Sequence, residues 1–332
     1  MNILIVRVSS LGDVVHNMPM VADIRRHYPQ ANIDWVVEEA YVDLVRLNPA
    51  VRKVIPIVLR RWRRNLLSSA VRAEMRDFRR ALQHEAYDAV FDTQGLFKTG
   101  MVMCMARLAA GGRRVGLANA TEGSGYEAIS RIFHTASVPV GLHTHAVQRA
   151  RMVAAAALGY APDGPPDFNL RAPETSPATL PAWLPSVPYA VFFHGTARAA
   201  KGWSSENWIP VGQQLAARGL PILLPWGSDA ERHGAEQLAA RLSNARVLPR
   251  LPLMDAVLLA QRAALVIGVD SGLTHVAAAY KRPTIELYCD SPRWKTQGDW
   301  SPDIINLGDS GAPPDPAQVC KAVDTLLGTT GG

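Results

Sequence analysis

Short, almost unbroken apolar runs rich in β-branched residues recur along this chain, each followed by room for one helix. That rhythm constrains the fold more than any other feature. In the first half the runs lie at 2–8, 33–37, 54–58 and 88–92, with helical stretches near 17–27, 67–84 and 144–157. A strand that is apolar on both faces must be covered on both, so alternation with helices predicts a parallel sheet between two helical layers. Asn17 is placed to cap the first helix, and Pro19 is tolerated in its first turn. From 161 the chain turns rich in Pro, Ser and Thr, and the rhythm then restarts with strands at 189–193, 221–225, 245–248, 264–269 and 284–288. Helical stretches near 205–218, 229–242, 253–262 and 272–280 separate these runs, and a last helix at 315–327 carries Val319, Val323, Leu326 and Leu327 on one face. The expected organisation is a doubly wound, Rossmann-like α/β domain over 1–165, a linker over 166–187 and a second such domain over 188–312. The two domains are expected to face a central cleft. A C-terminal helix over 313–328 could pack back on the first domain, and the tail 329–332 is expected to be mobile.

Composition narrows the setting. Of 332 residues, 48% are hydrophobic and 19% charged, which excludes a disordered chain. No apolar run is long enough to cross a membrane as a helix, and the N-terminus reads as a strand, not a signal peptide. The three cysteines, Cys104, Cys289 and Cys320, are far apart, which argues against a disulfide framework or structural zinc and fits the cytoplasm. The net charge is +6, but residues 51–80 alone hold ten basic and two acidic residues. At their centre stands Arg60-Arg61-Trp62-Arg63-Arg64. Such a cluster attracts phosphate, nucleic acid or an anionic membrane surface, or is simply a solvated basic helix face.

In doubly wound sheets ligands bind beyond the carboxyl ends of the strands, so the turns that follow strands are the candidate site. Ser9-Ser10-Leu11-Gly12-Asp13 follows the first strand. Asp13 reads as a general base whose pKa would have to be raised, or as a helix-capping residue. Asp92-Thr93-Gln94-Gly95, with Lys98, could hydrogen-bond a sugar, though Asp92 equally suits a helix cap. His194-Gly195-Thr196-Ala197-Arg198 with Lys201 resembles a phosphate cradle, or is a solvated βα loop. Trp226 and Glu231 could meet a base and a ribose, though Trp226 equally suits a buried place at the strand end. Asp270-Ser271-Gly272-Leu273-Thr274-His275 puts backbone N–H groups at a helix head, which suits a diphosphate, or holds an ordinary cap with a half-buried histidine. The chain has no GxGxxG, P-loop, HExxH or DxD.

Taken in order, Ser9-Ser10-Leu11-Gly12-Asp13-Val14, Trp35-Val36-Val37-Glu38-Glu39, Arg60-Arg61-Trp62-Arg63, Asp92-Thr93-Gln94-Gly95-Leu96, Leu224-Pro225-Trp226-Gly227 and Asp270-Ser271-Gly272-Leu273-Thr274-His275 resemble the lipopolysaccharide heptosyltransferases, in particular the members that act first in the inner core. The resemblance spans residue 3 to about 290 and implies a GT-B fold. It implies an inverting transfer of L-glycero-D-manno-heptose from ADP-heptose to Kdo2-lipid A, without an obligatory metal or cofactor. Asp13 matches the family's proposed base. Thr196, Lys201, Trp226, Glu231, Asp270, Ser271, Gly272 and His275 fall on the donor side. Ser10, Gly12, Arg60, Arg61, Arg63, Arg64, Asp92, Gln94 and Lys98 fall on the acceptor side. The acidic residues that often precede the family's lysine are Ala199 and Ala200 here, which leaves the support of Lys201 unassigned. The partners implied are ADP-heptose, Kdo2-lipid A and the anionic cytoplasmic face of the inner membrane, met by a peripheral monomer. Two rival readings are a GT-B transferase with another nucleotide sugar or a later core acceptor, and a nucleic-acid-binding protein. The second rival lacks any RRM, KH or helix-turn-helix signature.

Overall fold

The computed structural model describes residues 1–65, 67–173, 180–196 and 198–328. The tail expectation at 329–332, and residues 174–179 of the expected linker, lie outside the described residues. The chain divides into two compact units, Met1–Arg171 and Ala172–Gly332.

The first unit runs β1 (Asn2–Val6), α1 (Leu11–His16), α2 (Met18–His27), β2 (Asn32–Glu38), α3 (Val42–Arg46), β3 (Val51–Ile57), α4 (Leu59–Arg64), α5 (Ser69–Gln83), β4 (Tyr87–Asp92), α6 (Phe97–Met105), β5 (Leu108–Leu117), β6 (Ala136–Val138) and α7 (Ala146–Leu158). Its six strands are parallel in the order β3-β2-β1-β4-β5-β6. The apolar runs explain the centre: Ile3, Leu4, Ile5 and Val6 are fully buried, as a strand covered on both faces requires. The order reverses between β1 and β4, where Val6 lies opposite Asp92. The turns leaving these two strands are therefore neighbours at the switch point. The helix expected over 17–27 is α2, with Asn17 at its N-cap position and Pro19 in its first turn; the short helix α1, with Ser10 at its N-cap, precedes it and is not among the expected elements.

Charge fastens α2 to α7. Arg151 donates to both oxygens of Asp23 at 2.6 and 3.1 Å, with each side chain 2% exposed. Removing one partner strands the other charge in the interior. Asp23→Ala is thus expected to cost about 3–5 kcal/mol in urea unfolding. A loss within the range of an exposed pair would contradict this. The expected linker is also shorter at its start: Phe168 is buried, Asn48 binds its carbonyl at 3.3 Å, and Arg171 N–H reaches Leu47 O at 2.9 Å. Residues 166–171 thus belong to the first unit.

The second unit runs β7 (Ala190–Phe193), α8 (Ser205–Ala217), β8 (Ile222–Leu224), α9 (Asp229–Arg241), β9 (Ala245–Val247), α10 (Leu253–Arg262), β10 (Leu265–Val269), α11 (Gly272–Ala279), β11 (Thr284–Tyr288), β12 (Ile304–Gly308) and α12 (Pro316–Leu327). The strands are parallel in the order β12-β11-β10-β7-β8-β9, which repeats the winding of the first sheet. Reversal falls between β7 and β10. The C-terminal helix α12 does not use its apolar face as the sequence suggested. Val319 and Val323 complete the second unit's own core beside Trp208, Leu215 and Ile285. Gln214 of α8 and Arg218 at its C-terminal cap both bind the Asp324 carboxylate.

Candidate functional site

In the first unit the β1 turn gathers a carboxylate and cations. Ser10 N–H and hydroxyl donate to Asp13 Oδ2 at 3.1 and 2.9 Å, closing a box at the head of α1. Arg7, nearly buried at the end of β1, places Nη2 2.5 Å from Asp13 Oδ1 and donates from Nη1 to Thr93 O at 2.5 Å. Burial pulls the Asp13 carboxyl up, but Arg7, the Ser10 donors and His16 outweigh it and hold the group well below the usual carboxylate range. The sequence expectation of a base with a raised pKa is therefore corrected: the direction is the opposite. Arg149 of α7 shares this small crevice with Arg7, Asp13 and His16 and donates to Thr121 at 2.8 Å. Burial and the nearby Arg7 lower it to about 10.

Asp92 corrects another expectation. It is fully buried and its oxygens are occupied by Gln94 N–H at 2.9 Å, Gly95 N–H at 3.1 Å and the Thr99 hydroxyl at 2.9 Å. It shapes the turn and does not face a ligand. Burial pushes it up to about 6 despite these donors. Gln94 spends its carbonyl on Val8 N–H at 3.1 Å.

The basic run resolves into a helix with one anchor. Trp62 turns inward, its ring 5.4 Å from Phe78 and its N–H on Glu74 at 2.9 Å, so the arginines of α4 fan outward. Arg60, Arg61, Arg63 and Arg64 line a cavity of about 670 Å³ with Ser9, Glu38, Tyr41 and Lys98. Arg61 is already paired with Glu39 and Glu74 at 3.2 and 3.1 Å. Arg60, Arg63 and Arg64 make no ion pair among the described residues. Burial lifts the Glu38 carboxyl above its usual range against the pull of Arg60 and Lys98. The cavity is thus mainly cationic, with Glu38 and Glu39 as the carboxylates in its lining.

In the second unit the β7 and β10 turns meet through Lys201. Its ammonium binds Asp270 Oδ2, which also accepts the Ser291 hydroxyl at 2.5 Å, while Oδ1 takes His275 Nε2 at 3.0 Å. Asp270 therefore supplies the support that Ala199 and Ala200 do not. Burial raises the Asp270 carboxyl, and His275 with Lys201 holds it far below the ordinary range. His275 is buried with its other nitrogen on Glu286 at 3.0 Å, so it acts behind the helix head and not as a ligand donor. Ser271 and Gly272 open α11, whose first N–H groups and dipole favour an anion.

Glu231 completes a cap on α9: Oε2 accepts Gly227 N–H at 2.7 Å and Ser228 N–H at 3.2 Å. A Cβ at Gly195 would stand 2.6 Å from the Glu231 carboxyl carbon, so the β7 turn needs glycine to approach. Trp226 gives its N–H to Leu248 O at 2.7 Å and lies under Arg232, which leaves the indole no donor for a ligand. Thr196 sits half-buried in its turn. Among the described residues no group of three or more His, Cys, Asp or Glu is placed to hold a metal.

The sequence reading missed Arg7, Arg149 and Glu286. Two carried a signal: Arg7 and Glu286 are single charges inside apolar strand runs, Ile-Val-Arg-Val and Thr-Ile-Glu-Leu, where a buried partner must exist.

Two parallel doubly wound sheets of one winding, each with polar turns at its point of reversal, are the two Rossmann-like units of a GT-B fold. The structure of E. coli heptosyltransferase WaaC with ADP matches over 98% of this chain and 99% of that one, with a TM-score of 0.81 and 32% identity. The profile of glycosyltransferase family 9 (heptosyltransferase) matches residues 75–323. Lipopolysaccharide heptosyltransferase 1 of Pseudomonas aeruginosa is 38% identical over 87% of this chain and 78% of its own length. Its namesake in E. coli K12 is 37% identical over 87% and 88%. The chain belongs to glycosyltransferase family 9.

Proposed function

We propose that this enzyme moves L-glycero-D-manno-heptose from ADP-heptose to Kdo2-lipid A, the first heptose addition of the lipopolysaccharide inner core. The observation that carries the reading is the joint presence of a supported ammonium at the head of α11 and a cationic cavity under Arg60, Arg63 and Arg64. The first suits a diphosphate and the second a phosphorylated, carboxylate-bearing acceptor. Lys201 and the α11 head would offset the charge that develops on the departing ADP. Asp13 would take the proton from the attacking hydroxyl. A weak base suffices there, because the hydroxyl becomes strongly acidic once its oxygen bonds the anomeric carbon. Arg7 and Ser10 give the carboxylate a fixed aim in return for its lost basicity.

The acceptor would be met as a peripheral monomer on the cytoplasmic face of the inner membrane. Among the described residues no helix is long and apolar enough to cross a membrane. Phe97 and Met101 on α6, and Ile129 and Ile132 on the turn packed against it, are exposed apolar side chains on the unit that carries Lys98 and the arginines. Binding to vesicles containing anionic lipid, weakened as salt rises, is the expected result. Binding indifferent to salt, or none, would contradict it. Competition by ADP against UDP and GDP, with transfer persisting in EDTA, tests the donor and the absence of a metal requirement.

A further inference from the structure

Glu286 has no role in the chemistry described so far, yet it is a carboxylate with zero exposure in the middle of β11, between Ile285 and Leu287. Such a group is strongly destabilising unless it is paired and hydrogen-bonded. Its Oε2 accepts Gly298 N–H at 2.7 Å and the Tyr288 hydroxyl at 3.1 Å, and its Oε1 lies 3.0 Å from His275 Nδ1. His275 Nε2 then meets Asp270, and Asp270 meets Lys201. A line of carboxylate, imidazolium, carboxylate and ammonium thus runs from the strand interior to the β7 turn. Its two negative and two positive charges balance. Side-chain exposure along it is 0% at Glu286, 4% at His275, 7% at Asp270 and 19% at Lys201. Of the four charges, the ammonium is the one most open to a ligand.

We propose that Glu286 is a positioning residue of the donor half-site: by holding His275 as a cation against Asp270, it keeps Asp270 from drawing the whole of the Lys201 charge and leaves that charge for a diphosphate. The inference rests on the donor reading given above. The groups facing the ring are Asp270 from the β10 turn, Glu286 and Tyr288 from β11, and Lys201 beyond Asp270. Burial, with the nearby carboxylates, raises the Tyr288 hydroxyl well above its usual range, so it serves as a neutral donor. Burial opposes the charged ring, but the two carboxylates push His275 up to about 10 from 6.5. The imidazolium is therefore held throughout the neutral range and is lost only as pH rises through about 10. With Glu286 neutralised, the ring keeps one carboxylate and gives up its proton at lower pH. Lys201 is then the one cation left on Asp270.

The test compares wild type with Glu286→Gln, which keeps the shape of the side chain and an oxygen for Gly298 N–H. ADP affinity is measured by calorimetry across the neutral to alkaline range, with ring 15N shifts of His275 recorded on the same samples. Wild type is expected to hold its ADP affinity to within about twofold and to keep an imidazolium at His275, whereas E286Q matches it at neutral pH and loses about tenfold as its ring titrates one pH unit or more earlier. A change in packing alone would lower affinity by one factor at every pH. Parallel affinity curves would overturn the proposal. So would a wild-type His275 that titrates near 6.5, a result that decides the matter even where E286Q folds poorly. A wild type that keeps its imidazolium but does not bind ADP would overturn the donor reading, and with it the ligand assigned to this line of charges.

Discussion

Asp13→Asn is expected to lower turnover by roughly 10²–10⁴-fold, the share a positioned general base supplies, with ADP affinity unchanged. The variant keeps an oxygen for the Ser10 donors but cannot accept the proton, and it leaves Arg7 without its anion. Asp13 belongs to the first unit and the Lys201–Asp270 pair to the second, so nucleotide affinity is the internal control. The pH profile carries a second expectation. A carboxyl held well below its usual range stays ionised throughout the neutral and mildly acid range, so Asp13 contributes no acid limb there. Asp92, raised to about 6, does titrate in that range. Its protonation as pH falls would loosen the turn formed by Thr93, Gln94 and Gly95. A limb near 6 that survives in the residual activity of Asp13→Asn is the result expected for Asp92. One that vanishes with Asp13 would assign it to the base. Steady-state kinetics of both proteins across pH separates the two outcomes.

Lys201→Ala is expected to show the complementary defect. Removing one preorganised donor of developing charge costs about 10²–10³-fold in kcat, and here ADP affinity falls as well. The loss has two sources. The ammonium is gone from the head of α11, and Asp270 keeps only His275 as a cation while its negative charge faces the incoming diphosphate. Lys201→Arg restores charge but not the fit to a carboxylate already shared with Ser291, so partial recovery is expected. Calorimetry with ADP alongside initial rates checks this. Undiminished ADP binding in Lys201→Ala would remove the lysine from the donor half-site.

The framework was legible because burial on both faces leaves a plain mark on sequence. Runs such as Ile3–Val6 and Leu265–Val269 lie where the apolar pattern put them. The parts that escaped lack that mark. β5 reads Leu-Ala-Ala-Gly-Gly-Arg-Arg-Val-Gly-Leu, polar and glycine-rich, β6 is three residues long, and β12 is an edge strand that starts after a polar turn. At the site, position was readable and role was not. The turns after β1, β4, β7 and β10 sit at the two switch points, as strand-then-turn spacing implied. That Asp92 faces inward, and that His275 spends both nitrogens on carboxylates, depends on partners that only folding brings together. Glu286 reaches His275 across a strand-to-helix packing, and Ser291 reaches Asp270 from 21 residues away. The support of Lys201, missing at Ala199 and Ala200, comes from Asp270 in the same manner.

The most direct test of the central claim is transfer from ADP-heptose to purified Kdo2-lipid A, read as product mass and stoichiometric ADP release. One heptose added per acceptor, with one ADP released and no transfer from UDP- or GDP-linked sugars, is the predicted result. ADP binding without any heptosylated Kdo2-lipid A would contradict it and move this enzyme to another acceptor or sugar of its family.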